Sequence, residues 1–316
     1  MRVEEVKAQC EAILDEIGKV IVGKREVTER VMLAVLCEGH VLFEDYPGLA
    51  KTVMANTFAK ASGCDFKRVQ FTPDLLPADI TGSFILDRGS SSFILRKGPL
   101  FTNILLADEI NRAPPKTQAA LLESMQERQV TLEGETHKLD RPFIVMATQN
   151  PIEYEGTYPL PEAQIDRFLI RTKVGYPTAD EERTILQRRR ARRKEETDVR
   201  QVCSAKTIVE LQTALEDVHV DDGIDQYIVS IVESTRRHDQ VEVGASPRGS
   251  LALMRLSTAK AAISGRDYVI PDDVRAVAVP ALAHRLILAA DPWIRGVRAE
   301  DILAALIKSI PVPKVG

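Results

Sequence analysis

Short segments rich in apolar residues recur at 41–44, 67–71, 104–108, 143–148 and 168–174. Each is too short for a stable helix and fits a strand. Ile104-Leu105-Leu106-Ala107 and Phe143-Ile144-Val145-Met146-Ala147 are apolar without a break. That is the pattern of strands buried on both faces, hence parallel and central. Stretches 3–18 and 24–38 instead place apolar residues at helical spacing, separated by Val20-Ile21-Val22-Gly23. Further helical stretches alternate with the strands, which predicts a parallel sheet in a three-layer α/β domain. Two segments break the alternation. Both 82–98, with a turn over 87–92, and 129–141, with a turn at Glu133-Gly134-Glu135, read as β-hairpins.

The core ends near Tyr176-Pro177, and from Lys206 onward the spacing is helical. Thr178-Ala179-Asp180-Glu181 is a capping box that starts a connecting helix. Further helix starts are expected at Ser204, Asp222, Ser246 and Pro271-Asp272-Asp273. The chain therefore divides into an α/β core with an N-terminal helix (1–177), a connecting helix and linker (178–203) and a small all-α domain (204–316).

The strand ends carry the candidate chemistry. Pro47-Gly48-Leu49-Ala50-Lys51-Thr52 sits between the run 41–44 and a helical pattern, the setting of a phosphate-binding loop. Backbone N–H groups of such a turn and of the helix N-terminus converge on one spot and favour an anion. In that role Lys51 places its ammonium on the β- and γ-phosphates, and Thr52 offers its hydroxyl to Mg²⁺. The strict spacing G-x-x-x-x-G-K-[ST] is not met, because Asp45 and Ala50 stand where the two glycines belong. Taken alone, the loop is equally an ordinary helix start. An ionised Asp45 beside triphosphate would repel it, so Asp45 is expected to turn outward, toward solvent or a basic neighbour. The Ala50 methyl is tolerable if its φ is negative.

The run 104–107 closes on Asp108-Glu109, two carboxylates at the strand end where α/β sheets bind ligands. Asp108 suits Mg²⁺, and Glu109 suits a base that polarises an attacking water. The run 143–148 leads into Gln149-Asn150-Pro151, where an amide can hold that water or sense the γ-phosphate and the proline stops the strand.

The strings PGLAKT, LLADEINRAPPKTQAALLESMQERQVTLEG, ATQNPIEYEGTYPLPEAQIDRF and GASPR occur in this order. On them the whole chain resembles a MoxR-family AAA+ ATPase, of the helix-2-insert clade related to magnesium-chelatase motor subunits. The resemblance implies that Lys51 and Thr52 are the Walker A pair and that Asp108 and Glu109 form Walker B. It makes Asn150 the first sensor and Arg167 an arginine finger reaching a neighbouring subunit. Arg248 becomes the second sensor, reaching back from the lid to the bound phosphate. ATP or ADP with Mg²⁺ would then lie between core and lid. Pro47, Gly48, Leu49, Ala50 and Val53 complete its phosphate side, and Ile21, Val22 and Gly23 pack on adenine. The two hairpins correspond to the helix-2 insert and the pre-sensor-1 hairpin. The same likeness implies a ring, most often a hexamer, with a chaperone-like action on protein clients. The partner would often carry a von Willebrand factor A domain.

Composition narrows the setting. At 316 residues the chain suits two domains. A net charge of −4 gives no general attraction to nucleic acid or to anionic membranes. No apolar stretch approaches the ~18 residues that span a bilayer. The start Met1-Arg2-Val3-Glu4-Glu5 lacks the pattern of a secretory signal. Cys10, Cys37, Cys64 and Cys203 form no C-x-x-C pair, and the five histidines show no metal-ligand spacing. Reduced thiols and a cytoplasmic setting are therefore expected. Residues 187–194 hold six Arg or Lys. Acidic neighbours on both sides make a solvated helix face the better reading than a nucleic-acid patch. Two alternatives stay open: a nucleotide-binding scaffold with little hydrolysis, and a nucleic-acid or chelatase motor.

Overall fold

The computed structural model describes residues 2–87, 89, 91–150, 156–194 and 197–313. The expected strand stop at Pro151 lies outside them, as do Glu195 and Glu196, two of the acids flanking the basic run.

The strands of the core are β1 (Val41–Glu44), β2 (Phe66–Gln70), β3 (Gly82–Asp87), β4 (Ser92–Lys97), β5 (Ile104–Asp108), β6 (Gln129–Leu132), β7 (Glu135–Lys138), β8 (Ile144–Gln149) and β9 (Ile170–Thr172). Its helices are α1 (Val3–Val20), α2 (Arg25–Leu36), α3 (Lys51–Ser62), α4 (Pro77–Thr81), α5 (Pro115–Glu127) and α6 (Glu162–Ile165). Five strands form one parallel sheet in the order β2-β5-β8-β1-β9. The pairs β3–β4 and β6–β7 are separate antiparallel hairpins, as expected.

The unbroken apolar runs follow from a strand with both faces covered. Alternate residues point to opposite sides of a pleated strand. Val41, Phe43, Ile104, Leu106, Ile144 and Met146 join a core that includes α1, α2 and α3. Leu42, Leu105, Ala107, Val145 and Ala147 join a second core with Leu121, Leu122 and Met125 of α5. Withdrawing each large side chain from water stabilises the fold by about 1.5–3 kcal/mol, which pins these three strands at the centre.

Beyond the core come α7 (Ala179–Arg192), α8 (Ala205–Ala214), α9 (Asp222–Arg236), α10 (Pro247–Ile263), α11 (Pro271–Leu282), α12 (Ala290–Ile294) and α13 (Ala299–Ser309). Thr178, Ser204 and Ser246 are N-caps whose hydroxyls accept backbone N–H bonds, where the capping signals put them. The lid is not all-α. β10 (Val241–Val243) pairs antiparallel with β11 (Ile287–Leu288), tying the start of α10 to the end of α11. Three-residue and two-residue strands carry too short a pattern to separate from loops. The first apolar core continues from α1 into Leu253 and Leu256 of α10, so lid and core share one interior.

Candidate functional site: two clefts at opposite ends of one strand

The loop after β1 is built on left-handed backbone. Gly48 has φ +82°, and Ala50, the residue before α3, has φ +57°. The condition under which the Ala50 methyl is free of strain, a negative φ, is therefore not met. The loop takes the conformation its usual glycine would take, at a strain of about 1–2 kcal/mol for an L-residue. That turn aims the first amides of α3 into a cleft of ≈ 350 Å³ lined by the loop, Thr52, Asp108, Glu109 and Asn150. Lys51 is buried there, with Nζ donating to the carbonyls of Asp45 (2.8 Å) and Tyr46 (2.6 Å). Burial pushes its pKa down, while Asp45, Asp108 and Glu109 pull it back up.

Asp45 does not turn outward. It is buried, and its carboxylate accepts three backbone N–H groups: Tyr46 (2.9 Å), Val174 (2.8 Å) and Gly175 (2.7 Å). Fixed amide dipoles satisfy its charge, so no solvent or basic side chain is needed. Repulsion of a triphosphate correctly argues for pointing away, but the destination is the chain leaving β9.

The carboxylates that close β5 sit in a connected polar group. Thr148 Oγ1 donates to Asp108 Oδ1 at 2.6 Å and accepts the Glu109 amide at 2.8 Å. Arg68 donates to Asp108 Oδ2 through Nη2 (2.6 Å) and Nε (3.1 Å). Glu109 Oε2 accepts from Gln70 Nε2 (2.7 Å) and Arg112 Nη1 (2.8 Å). Glu109 itself has φ +56°, a turn that brings its side chain back over the strand ends. Arg68, Gln70, Arg112 and Thr148 are absent from the sequence-derived set. Arg68 and Gln70 alternate at the C-terminal end of β2, a strand-end signal as good as that of Asp108.

The expected adenine contacts divide. Ile21 is buried in the core, and Gly23 (φ +73°) has the Glu181 side chain packed where a Cβ would lie. Val22 lines a cleft of ≈ 460 Å³ with Val53 and Ile185, and Val53 also lines the phosphate-loop cleft.

Arg248 does not reach its own phosphate loop. Among the described residues, the phosphate-loop cleft is lined by the α/β core alone, so it does not lie between core and lid. Arg248 opens α10 in a second cleft of ≈ 490 Å³, shared with Arg167, Asp166, Arg255 and Arg285. Its Nη1 lies 3.5 Å from Asp166 Oδ2. Arg167 donates through Nη1 to the Leu122 carbonyl at 3.1 Å, and its buried Nε has no partner among the described residues. Glu38, Gly39 and His40 line this cleft and lead into β1, whereas the loop from Asp45 to Thr52 leaves β1. The two clefts therefore open at opposite ends of a four-residue strand, about 13 Å of extended chain.

A parallel sheet with a phosphate loop after one central strand and paired carboxylates ending its neighbour-but-one defines a P-loop nucleoside triphosphatase. Residues 40–170 match the ATPase family associated with various cellular activities (AAA), and residues 233–306 match the AAA lid domain. The chain is 48% identical over 300 residues to YeaC of Bacillus subtilis, covering 95% of this chain and 93% of that one. It is 43% identical over 314 residues to the chaperone MoxR1 of Mycobacterium tuberculosis, covering 96% and 82%. A crystal structure of a candidate ATPase from Cytophaga hutchinsonii superposes with a TM-score of 0.92 at 38% identity, covering 99% and 97%. Shorter stretches match magnesium-chelatase subunits. The chain belongs to the MoxR-type AAA+ ATPases and is an ATP hydrolase. Among the described residues no helix is long and apolar enough to cross a membrane.

Proposed function

We propose that this protein hydrolyses Mg-ATP at sites completed by a neighbouring copy, in a ring, and uses the cycle to remodel protein clients. The supporting observation is the separation of the two clefts by the length of β1, with Arg167 and Arg248 together in the one that has no phosphate loop. Head-to-tail packing of copies places the arginine cleft of one against the loop cleft of the next, and such packing makes a ring when the rotation between copies closes. A hexamer and a partner with a von Willebrand factor A domain remain the family-based expectation.

Within one site the loop amides and Lys51 hold the phosphates, and the cleft beside Val22, Val53 and Ile185 takes the base. Glu109 and Asn150 orient the attacking water, with Glu109 taking its proton. Thr52 and Asp108 supply hard oxygen donors on the same cleft, a set that fits Mg²⁺, which binds through one or two protein ligands plus phosphates. When bound, that ion neutralises charge on the β- and γ-phosphate oxygens. Arg167 and Arg248 of the neighbour neutralise the charge that develops as the γ-phosphoryl leaves.

A finger in trans contributes on the order of 10³–10⁵ in rate. Arg167→Ala subunits and Lys51→Ala subunits should each be inactive, and mixed assemblies should recover turnover at interfaces pairing one intact loop with one intact cleft. Demonstrated mixed assemblies without recovery would overturn the trans reading.

A further inference from the structure

The loop that carries Arg167 is gripped from the lid by a buried guanidinium. Arg285 follows α11 in the short turn Ala283–Arg285, and its side chain is 4% exposed. Its Nη1 donates to Asp166 Oδ1, its Nη2 to the Phe168 carbonyl at 3.0 Å, and its Nε to the Ala281 carbonyl at 2.8 Å. The fork thus bonds the residue before Arg167 and the residue after it, while its stem stays fixed to α11. The neighbouring His284 Nε2 also meets the Phe168 carbonyl, at 3.0 Å. Among the described residues, the Arg167 guanidinium is held by the Leu122 carbonyl. The other oxygen of Asp166 faces Arg248.

A guanidinium is costly to bury unless each donor is matched, and an apolar side chain of the same volume would pack α11 at less cost. Planar, bidentate geometry is what distinguishes Arg285 from such a filler. We propose that Arg285 is a positioning residue: it ties the Asp166 carboxylate before Arg167 and the Phe168 carbonyl after it to the lid and, through Asp166, sets Arg248 beside it. This rests on the reading that Arg167 and Arg248 serve a neighbour's nucleotide. A lid movement then shifts both arginines together.

Arg285→Met keeps the packed volume and removes the donors, and Arg285→Lys keeps the charge but loses the fork. In assembled Arg285→Met protein, kcat should fall by about 10²-fold, the cost of misplacing a catalytic group by about 1 Å. The affinity for a slowly hydrolysed ATP analogue should stay within about twofold, since the protein's own phosphate loop is untouched. Arg285→Lys should recover part of the loss. Mixing Arg285→Met with Lys51→Ala subunits should restore turnover, because the latter bring an intact arginine cleft. Should Arg285→Met fail to fold, Asp166→Asn carries the same test with little change of volume, and a similar kcat loss at unchanged affinity is expected. A kcat within twofold of the parent would overturn the clamp, and so would an affinity loss that parallels the loss of kcat. If Arg167→Ala and Lys51→Ala subunits fail to complement, the trans reading falls and takes the clamp with it. If they complement while Arg285→Met turns over normally, the clamp alone is wrong.

Discussion

Asp45 Oδ2 accepts the backbone N–H of Gly175 at 2.7 Å, so the residue that closes β1 also fastens the chain leaving β9. Asp45 further presents its carbonyl to Lys51 Nζ. One residue therefore links a sheet edge, the phosphate loop and its lysine. Each hydrogen bond to a charged group contributes about 1.5–3 kcal/mol. Asp45→Gly should lower the unfolding free energy by about 2–4 kcal/mol in denaturant melts and weaken ATP binding, since the loop loses its tether. Unchanged stability in that variant would remove the buried tether.

Ala50 invites the opposite result. Its φ of +57° is strained for alanine and free for glycine. Ala50→Gly should therefore stabilise the protein by up to about 1 kcal/mol, the relief of left-handed strain less the added freedom of the unfolded chain. ATP affinity should not fall. A destabilised Ala50→Gly variant would mean that the loop is not left-handed in solution.

Glu109 and Lys51 share a cleft but have separable roles. Glu109→Gln keeps a side chain that can bond Gln70 and Arg112 and loses the base. Equilibrium binding of ATP should survive it while turnover drops by at least about 10². Lys51→Ala should abolish both. Equal affinity losses in the two variants would take Glu109 out of the catalytic step.

A buried histidine predicts acid sensitivity. His40 receives the Val145 N–H on Nδ1, so its proton sits on Nε2, facing the Met125 carbonyl. Burial pushes its pKa from 6.5 down to about 4. Below pH 6.5 the unfolded chain takes up a proton that the folded one refuses. The contribution is complete above pH 6.5 and is lost as pH falls toward 4. It amounts to about 3 kcal/mol. Burial pushes His284 in the same direction. Thermal melts between pH 7 and 4.5 should show a shallower fall in Tm for His40→Gln than for the parent, whatever its absolute stability.

Lys51, Thr52, Asp108, Glu109 and Asn150 are legible in the sequence as one site because each lies just past the end of an apolar run. Parallel strands put those ends on one edge of the sheet, so periodicity alone brings the five residues together. Arg167 and Arg248 are legible as residue types only. Arg167 precedes its strand, which sends it to the opposite edge. Arg248 lies some 80 positions further on, and its placement depends on how α10 docks. A likeness that assigns both to a phosphate carries no information about which copy's phosphate that is.

What the sequence determined by itself is what local chemistry dictates: strand or helix from spacing, helix starts from capping residues, and paired carboxylates from the residues closing a run. These depend on neighbours within a few positions. Tertiary structure alone decided where Asp45 finds its partners, since the Val174 and Gly175 amides lie about 130 residues away. It likewise decided that Arg285 grips Asp166 and Phe168, and that the lid covers the arginine cleft and leaves the phosphate loop uncovered. The physical reason is range. Backbone propensity and hydrophobic periodicity act along the chain. The pairing of a buried charge is settled only when packing has brought its donors within hydrogen-bond distance.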